Sequence, residues 1–144
     1  MLEEDFGIAS DVWSCPSFTE LRREGLSVAR WNLLHPDEKP RESYVGKCLN
    51  GTEGPVVAAS DYMKMFADQI RPFIQKPYVV LGTDGFGRSD TREKLRTFFE
   101  VDRRYVVVAA LKALADEGTV PAAKVTEAIG KYGIDPEKPE PTTV

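Results

Sequence analysis

The feature that most narrows the possible folds is a pair of short, unbroken apolar runs, PVVAAS at residues 55–60 and YVVLG at 78–82. A strand with water on one face alternates polar and apolar residues, whereas a strand covered on both faces reads as continuous apolar sequence, the pattern of parallel sheets. Each run is followed by a helical pattern. After the first, Asp61 stands where a helix cap would, and Tyr62, Phe66, Ile70 and Phe73 recur at intervals of four, four and three, up to a stop near Pro72. After the second, DTREKLRTFFE at 90–100 places Leu95, Phe98 and Phe99 on one side of a helix. Strands alternating with helices predict an α/β domain with a mostly parallel sheet.

The flanking segments add further elements. Leu2 and Phe6, four apart and followed by Gly7, read as the last turns of a helix with a glycine C-cap. SDVWSC offers Val12 and Trp13 as a short strand, and Ser17 with Glu20 makes a capping box that opens a short helix to about Glu24. From Gly25 to Pro40 the pattern is irregular and predicts a long connection anchored by Trp31, Leu33 and Leu34. A short helix is expected over 41–49. A nearly all-apolar one is expected from about Asp102 to Glu117, where YVVVAAL runs on into KALADEG beyond the length of an ordinary strand. Pro121 opens a last helix with Val125, Ile129 and Tyr132 inward and Gly133 at its end. The domain is thus expected over residues 1–134, and the three prolines of 135–144 predict a mobile tail.

With 144 residues, the chain is long enough to bury a sizeable core without disulfides or metal. Cys15 and Cys48 have no paired spacing and are expected as free thiols. A net charge of −4 opposes general nucleic-acid binding, which needs clustered Lys and Arg, and no apolar stretch is long enough to span a membrane. The opening MLEEDFG lacks the basic and apolar regions of a secretory signal, so a cytoplasmic location is expected.

Three glycines between strand and helix, LGTDGFGRSD at 81–90, invite comparison with phosphate-binding loops. A dinucleotide loop needs G-x-G-x-x-G, so that backbone can approach a pyrophosphate and the helix can pack closely; Gly82, Gly85 and Gly87 instead give G-x-x-G-x-G. No Walker lysine follows. The simpler reading gives all three glycines positive φ in a tight connection and makes Asp90 the helix cap, with Glu93 in the capping-box position. A narrower functional reading has the amides near Ser89 and Asp90, with Arg88 beside them, hold a carboxylate or phosphate from a neighbouring domain. The candidates for an interface or anion contact are therefore Asp84, Arg88, Ser89, Asp90 and Arg92. Arg88, Arg92 and Arg96 recur every four residues, but residues 81–104 carry a net charge of only +1, the signature of a face laced with ion pairs. His35, the only histidine, has no ligand or nucleophile at a suitable spacing. No catalytic constellation emerges.

Taken together, SFTELRREG, RWNLLHP, SDYMKMFADQIRPF, LGTDGFGRSDTREKLRTFFEVD and YVVVAALKALADEG resemble the C-terminal end of the homodimeric type of pyruvate dehydrogenase, the thiamine-diphosphate component of bacterial complexes. The resemblance implies a three-layer α/β/α domain with a mixed sheet, similar to the C-terminal domain of transketolases and lacking its first parallel strand. SDVWSC and PVVAAS would then flank a gap of two strand spacings, about 10 Å. It also implies a parent enzyme that decarboxylates pyruvate and reductively acetylates lipoyl groups, with a second subunit and a dihydrolipoyl acyltransferase core as partners. The family's cofactor signature, Gly-Asp-Gly followed by Asn-Asn, has only Thr83-Asp84-Gly85 as a counterpart here, since Asn32 and Asn50 both precede it. No thiamine diphosphate, Mg²⁺ or catalytic residue is therefore expected in this chain, whose expected share is dimer contact and docking. The alternative is a stand-alone module, anion- or nucleotide-binding through the Gly82–Asp90 loop or regulatory.

Overall fold

The computed structural model describes residues 1–144. Strands β1 (Val56–Ala59) and β2 (Tyr78–Leu81) form a two-stranded parallel sheet with Val56 opposite Tyr78 and Ala59 opposite Leu81. The helices are α1 (Leu2–Phe6), α2 (Phe18–Leu34), α3 (Tyr44–Leu49), α4 (Lys64–Asp68), α5 (Arg92–Phe98), α6 (Arg103–Asp116) and α7 (Ala123–Lys131). Successive residues of a strand face opposite sides, and here both sides are covered. Val56, Ala58, Tyr78 and Val80 pack against a cluster built on Val45, Ile70 and Ile74, with Phe18, Leu21 and Leu49 from α2 and α3. On the other face lies α6, whose Val107 and Leu111 join Phe6, Val125 and Ala128 in a second cluster. The result is the expected α/β architecture, with helical layers on both sides of a narrow sheet.

Several local expectations give way to packing. Helix α2 does not stop at Gly25 but runs on to Leu34. Gly25 is buried there, and a Cβ on it would stand 2.5 Å from the Phe73 ring. The glycine permits close approach to the turn at Arg71–Phe73 rather than ending a helix. Beyond α2 the chain doubles back: Asn32 Oδ1 accepts from the Arg41 amide at 2.8 Å and its Nδ2 donates to the Arg41 carbonyl at 2.9 Å. The Arg41 guanidinium lies 3.7 Å from the centre of the Trp31 ring, which also stacks on His35.

SDVWSC forms no strand. Val12 is 93 % exposed and Trp13 58 %, because nothing offers this segment a ladder. The helix expected from Asp61 to Pro72 shortens to α4 and a separate 3-10 turn at Arg71–Phe73, leaving Tyr62 and Phe66 exposed and edge-to-face with each other. Its cap is not Asp61; Met63 occupies that position.

Helix α6 matches its expected span to within a residue and is anchored by Asp102, whose carboxylate accepts from the Arg104 amide at 2.8 Å and the Arg104 side chain at 2.6 Å. Thr97 Oγ1 donates to the same carboxylate at 2.9 Å. Helix α1 is tied to α7 through Asp5, which receives Lys131 Nζ at 2.8 Å and the Tyr132 hydroxyl at 2.7 Å. The Tyr132 hydroxyl is pushed up to about 12 by burial and by that carboxylate.

Two outcomes test this core. Leu111 is fully buried, so Leu111→Ala is expected to cost about 3 kcal/mol, measured as a lower urea midpoint at unchanged slope. Burial alone would raise the Asp102 pKa, but hydrogen bonds from Arg104, Thr97 and the Arg104 and Tyr105 amides outweigh it and hold the carboxyl below its ordinary value of 3.8. A depressed folded pKa adds stability that is complete above the unfolded value and drains away as pH falls through the folded one. Asp102→Asn should therefore be less stable than wild type at neutral pH, and the two should converge below about pH 4, as read by urea melts across pH.

Candidate functional site

Both parallel strands end at the same side of the domain, and the loops that leave them are stitched together by hydrogen bonds to backbone groups. Thr83 N–H donates to the Tyr62 carbonyl at 2.9 Å, the Thr83 hydroxyl to the Asp61 carbonyl at 3.0 Å, and Lys64 N–H to Asp84 Oδ1 at 2.9 Å. Asp84 thus supplies the acceptor at the start of α4, the part for which spacing suggests Asp61. Gly82 sits inside this seam. A Cβ there would fall 2.6 Å from the Lys64 nitrogen and 2.7 Å from the Tyr62 oxygen, both backbone atoms that cannot move aside.

The expectation of three positive-φ glycines holds only for Gly85, at φ 112°. Its absent side chain leaves room for the Pro141 carbonyl. Gly87 has neither a close neighbour nor a positive φ.

Asp61, relieved of capping, faces two arginines from α5. Arg92 Nη2 lies 3.1 Å from Oδ2 and Arg96 Nε 3.1 Å from Oδ1, although the Arg96 N–H is angled so that no directed hydrogen bond forms. These side chains are 40–78 % exposed, so the triad is worth at most about 1 kcal/mol per pair. These hydrogen bonds, not the ion pairs, hold the two loops in register.

Further along, the cap of α5 is Thr91 rather than Asp90; its hydroxyl accepts from the Lys94 amide, while Asp90 accepts from the Thr91 amide at 2.7 Å. An open cavity of about 460 Å³ is lined by Arg88, Ser89, Asp90, Lys94, Leu95 and Phe98. The Arg88 guanidinium lies 4.4 Å from the centre of the Phe98 ring, and Lys94 lies 3.7 Å from Asp90. Of the five sequence candidates, Arg88, Ser89 and Asp90 are brought together, Arg92 belongs to Asp61, and Asp84 is spent on the Lys64 amide. The Lys94 and Thr91 amides are already answered by Thr91 and Asp90, and Asp90 adds negative charge.

Lys138 is the residue that periodicity missed. Its ammonium donates to the Phe98 carbonyl at 2.7 Å and to Glu100 at 2.9 Å, at a bend where Glu100 is the one non-glycine residue with positive φ. Residues 135–144 therefore lie against the end of α5 and the Gly85 turn. A lone lysine in a proline-rich tail carries no sequence signal for such a contact.

Residues 1–102 match the family of transketolase-like C-terminal domains. The chain belongs to that family. It is also similar to pyruvate dehydrogenase E1 components: 65 % identical over 144 residues to that of Cupriavidus necator, 64 % over 142 to that of Pseudomonas aeruginosa and 52 % over 142 to that of Escherichia coli. These alignments cover 98–100 % of this chain and 16 % of each relative. The chain thus spans about a sixth of the length of the curated relatives that it matches.

No three His, Cys, Asp or Glu side chains converge where a metal ion could sit, and the Arg88 cavity places Asp90 where a diphosphate would need donors. Neither cysteine is paired; burial pushes the Cys15 thiol up, away from the reactive thiolate.

The seam makes a sharp comparison. Gly82→Ala is expected to cost about 2 kcal/mol or more by forcing the loops apart, whereas Gly87→Ala should stay within about 0.5 kcal/mol. Thermal melts of the two variants check this; equal effects would mean that the close approach at Gly82 is not the constraint.

Proposed function

We propose that this chain is the C-terminal, non-catalytic segment of a thiamine-diphosphate-dependent pyruvate dehydrogenase component. The observation that carries the reading is identity of 52–65 % along essentially the whole chain to proteins of that name, in a domain of the transketolase C-terminal family. In the parent protein the substrate is pyruvate, the reaction is decarboxylation with transfer of the acetyl group to lipoyl groups, and the partners are a second subunit and a dihydrolipoyl acyltransferase core. Thiamine diphosphate and Mg²⁺ are held by other parts of that protein, which works in the cytoplasm. The share of this segment is contact: Arg88, Ser89 and Asp90 around the open cavity, and the Asp61–Arg92–Arg96 triad beside it, present paired charges at the strand ends.

A chimaera tests the reading. The Cupriavidus relative, with the 144 residues that match this chain replaced by it, should retain pyruvate decarboxylation. A chimaera that folds and dimerises but does not turn over would overturn it. For the isolated chain, titration calorimetry with thiamine diphosphate and Mg²⁺ should show no saturable heat; micromolar binding would contradict the proposal.

A further inference from the structure

We propose that residues 138–142 form a strap whose docking orders the Gly85–Asp90 loop, so that loop and strap tighten and loosen as one unit. Nothing in this depends on the functional reading above; it follows from how little else holds either segment. From Gly85 to Asp90 every residue is exposed, and no backbone N–H or C=O of these residues takes part in a hydrogen bond. Backbone of that kind moves freely unless side chains or a neighbouring segment restrain it. Residues 135–144 are no better secured by themselves. Their internal hydrogen bonds close local turns, with Lys138 N–H donating to the Asp135 carbonyl at 3.3 Å and Thr143 N–H to the Glu140 carbonyl at 2.9 Å, and Pro141 is the one buried residue among them.

The two segments meet at two points. At the first, the Pro141 carbonyl fills the space that a side chain on Gly85 would take: a Cβ there would stand 2.6 Å from that oxygen and 3.4 Å from Thr142 Cα. Gly85 also has φ 112°, so the turn and the strap fit each other through the one residue type that suits both. At the second, the Phe98 ring attracts a cation from each segment, the Arg88 guanidinium at 4.4 Å from its centre and the Lys138 ammonium at 5.3 Å. Lys138 is the firmer anchor. Its side chain is only 23 % exposed, and its charge-assisted bonds to the Phe98 carbonyl and the Glu100 carboxylate are the only hydrogen bonds from residues 135–144 to the rest of the chain. Without that ammonium, the entropy of ordering the strap is opposed by little more than one proline ring. A cavity of about 60 Å³ between Glu140–Thr142 and the seam at Gly82 and Asp84 leaves the strap resting on the body without sealing to it. Release of Lys138 therefore frees Pro141, and the loop then keeps only Arg88 on Phe98 and the exposed Lys94–Asp90 pair, which are weak ties. The face that carries Arg88, Ser89 and Asp90 thus has two states, ordered under the docked strap and loose without it.

Backbone order parameters from nitrogen-15 relaxation on the full chain test the proposal. In Lys138→Met, the values for Phe86–Ser89 and for Glu140, Thr142 and Thr143 are expected to fall together by about 0.2 or more, the distance between rigid and flexible backbone, while those of α6 stay as they are. Gly85→Ala sets a methyl group against the Pro141 carbonyl and should loosen Glu140, Thr142 and Thr143 from the opposite end, as reciprocal coupling requires. Lys112→Met, which removes a cation paired with Asp116 on α6, should change neither segment. A strap that loosens in Lys138→Met beside a loop that stays ordered overturns the proposal. So does a strap that stays ordered in either of the first two variants, or the same fall in Lys112→Met. Should a variant fail to fold, the unmodified chain decides: proton–proton Overhauser contacts between Gly85 and Pro141, with equal order in loop and strap, are the expected result, and a rigid loop beside a flexible strap overturns it.

Discussion

The parallel pairing of β1 with β2 is the constraint that organises the molecule. A two-stranded sheet has no independent stability, and a parallel one is apolar on both faces, so it persists only where a helical layer covers each side. That requirement divides the chain's packing in two. Val56, Ala58, Tyr78 and Val80 serve one cluster, and α6 closes the other with Leu111 at its centre. The sheet is only two strands wide, so neither core is broad, and of the large side chains only Leu111 and Val101 are fully buried.

This arrangement also explains why the strand ends carry the more constrained chemistry. Parallel strands deliver their following loops to one side, and those loops must be reconciled there with each other. At Gly82 the reconciliation is steric, at Asp84 it is a captured amide, and at Asp61 it is a loose ion triad. The ranking of magnitudes matters. Exposed carboxylate–guanidinium pairs contribute little, whereas an excluded Cβ between two backbone segments admits no compromise. Charge decorates this corner and sterics define it.

Elements with a strong local signal were legible in the sequence. The two apolar runs, the Asp102-capped helix and the helix after Pro121 stand within a residue or two of where periodicity puts them. What escaped was decided by neighbours distant in sequence. Gly25 reads as a helix stop until the Phe73 ring explains it. Val12 and Trp13 read as a strand, but a strand is a relation between two segments, and a single sequence does not show that the second is lacking. Asp61 and Asp90 both qualify as caps by spacing, yet the cap positions fall to Met63 and Thr91. Many carboxylates qualify as caps by spacing, and the tertiary fold chooses among them. Around the candidate site, Arg88, Ser89 and Asp90 line one cavity because they are adjacent in sequence, whereas the partners of Arg92 and Asp84 lie 31 and 20 positions away.

The contact between Lys138 and the bend at Glu100 makes the last residues a clasp rather than an appendage. The ammonium answers the Phe98 carbonyl and the Glu100 carboxylate together, and Pro141 lies just beyond, against Gly85. One short span of backbone therefore touches both the exit of α5 and the turn that follows β2. Anything that pulls on the carboxyl terminus, such as an appended tag or an adjoining surface, would be transmitted to the Gly85 turn.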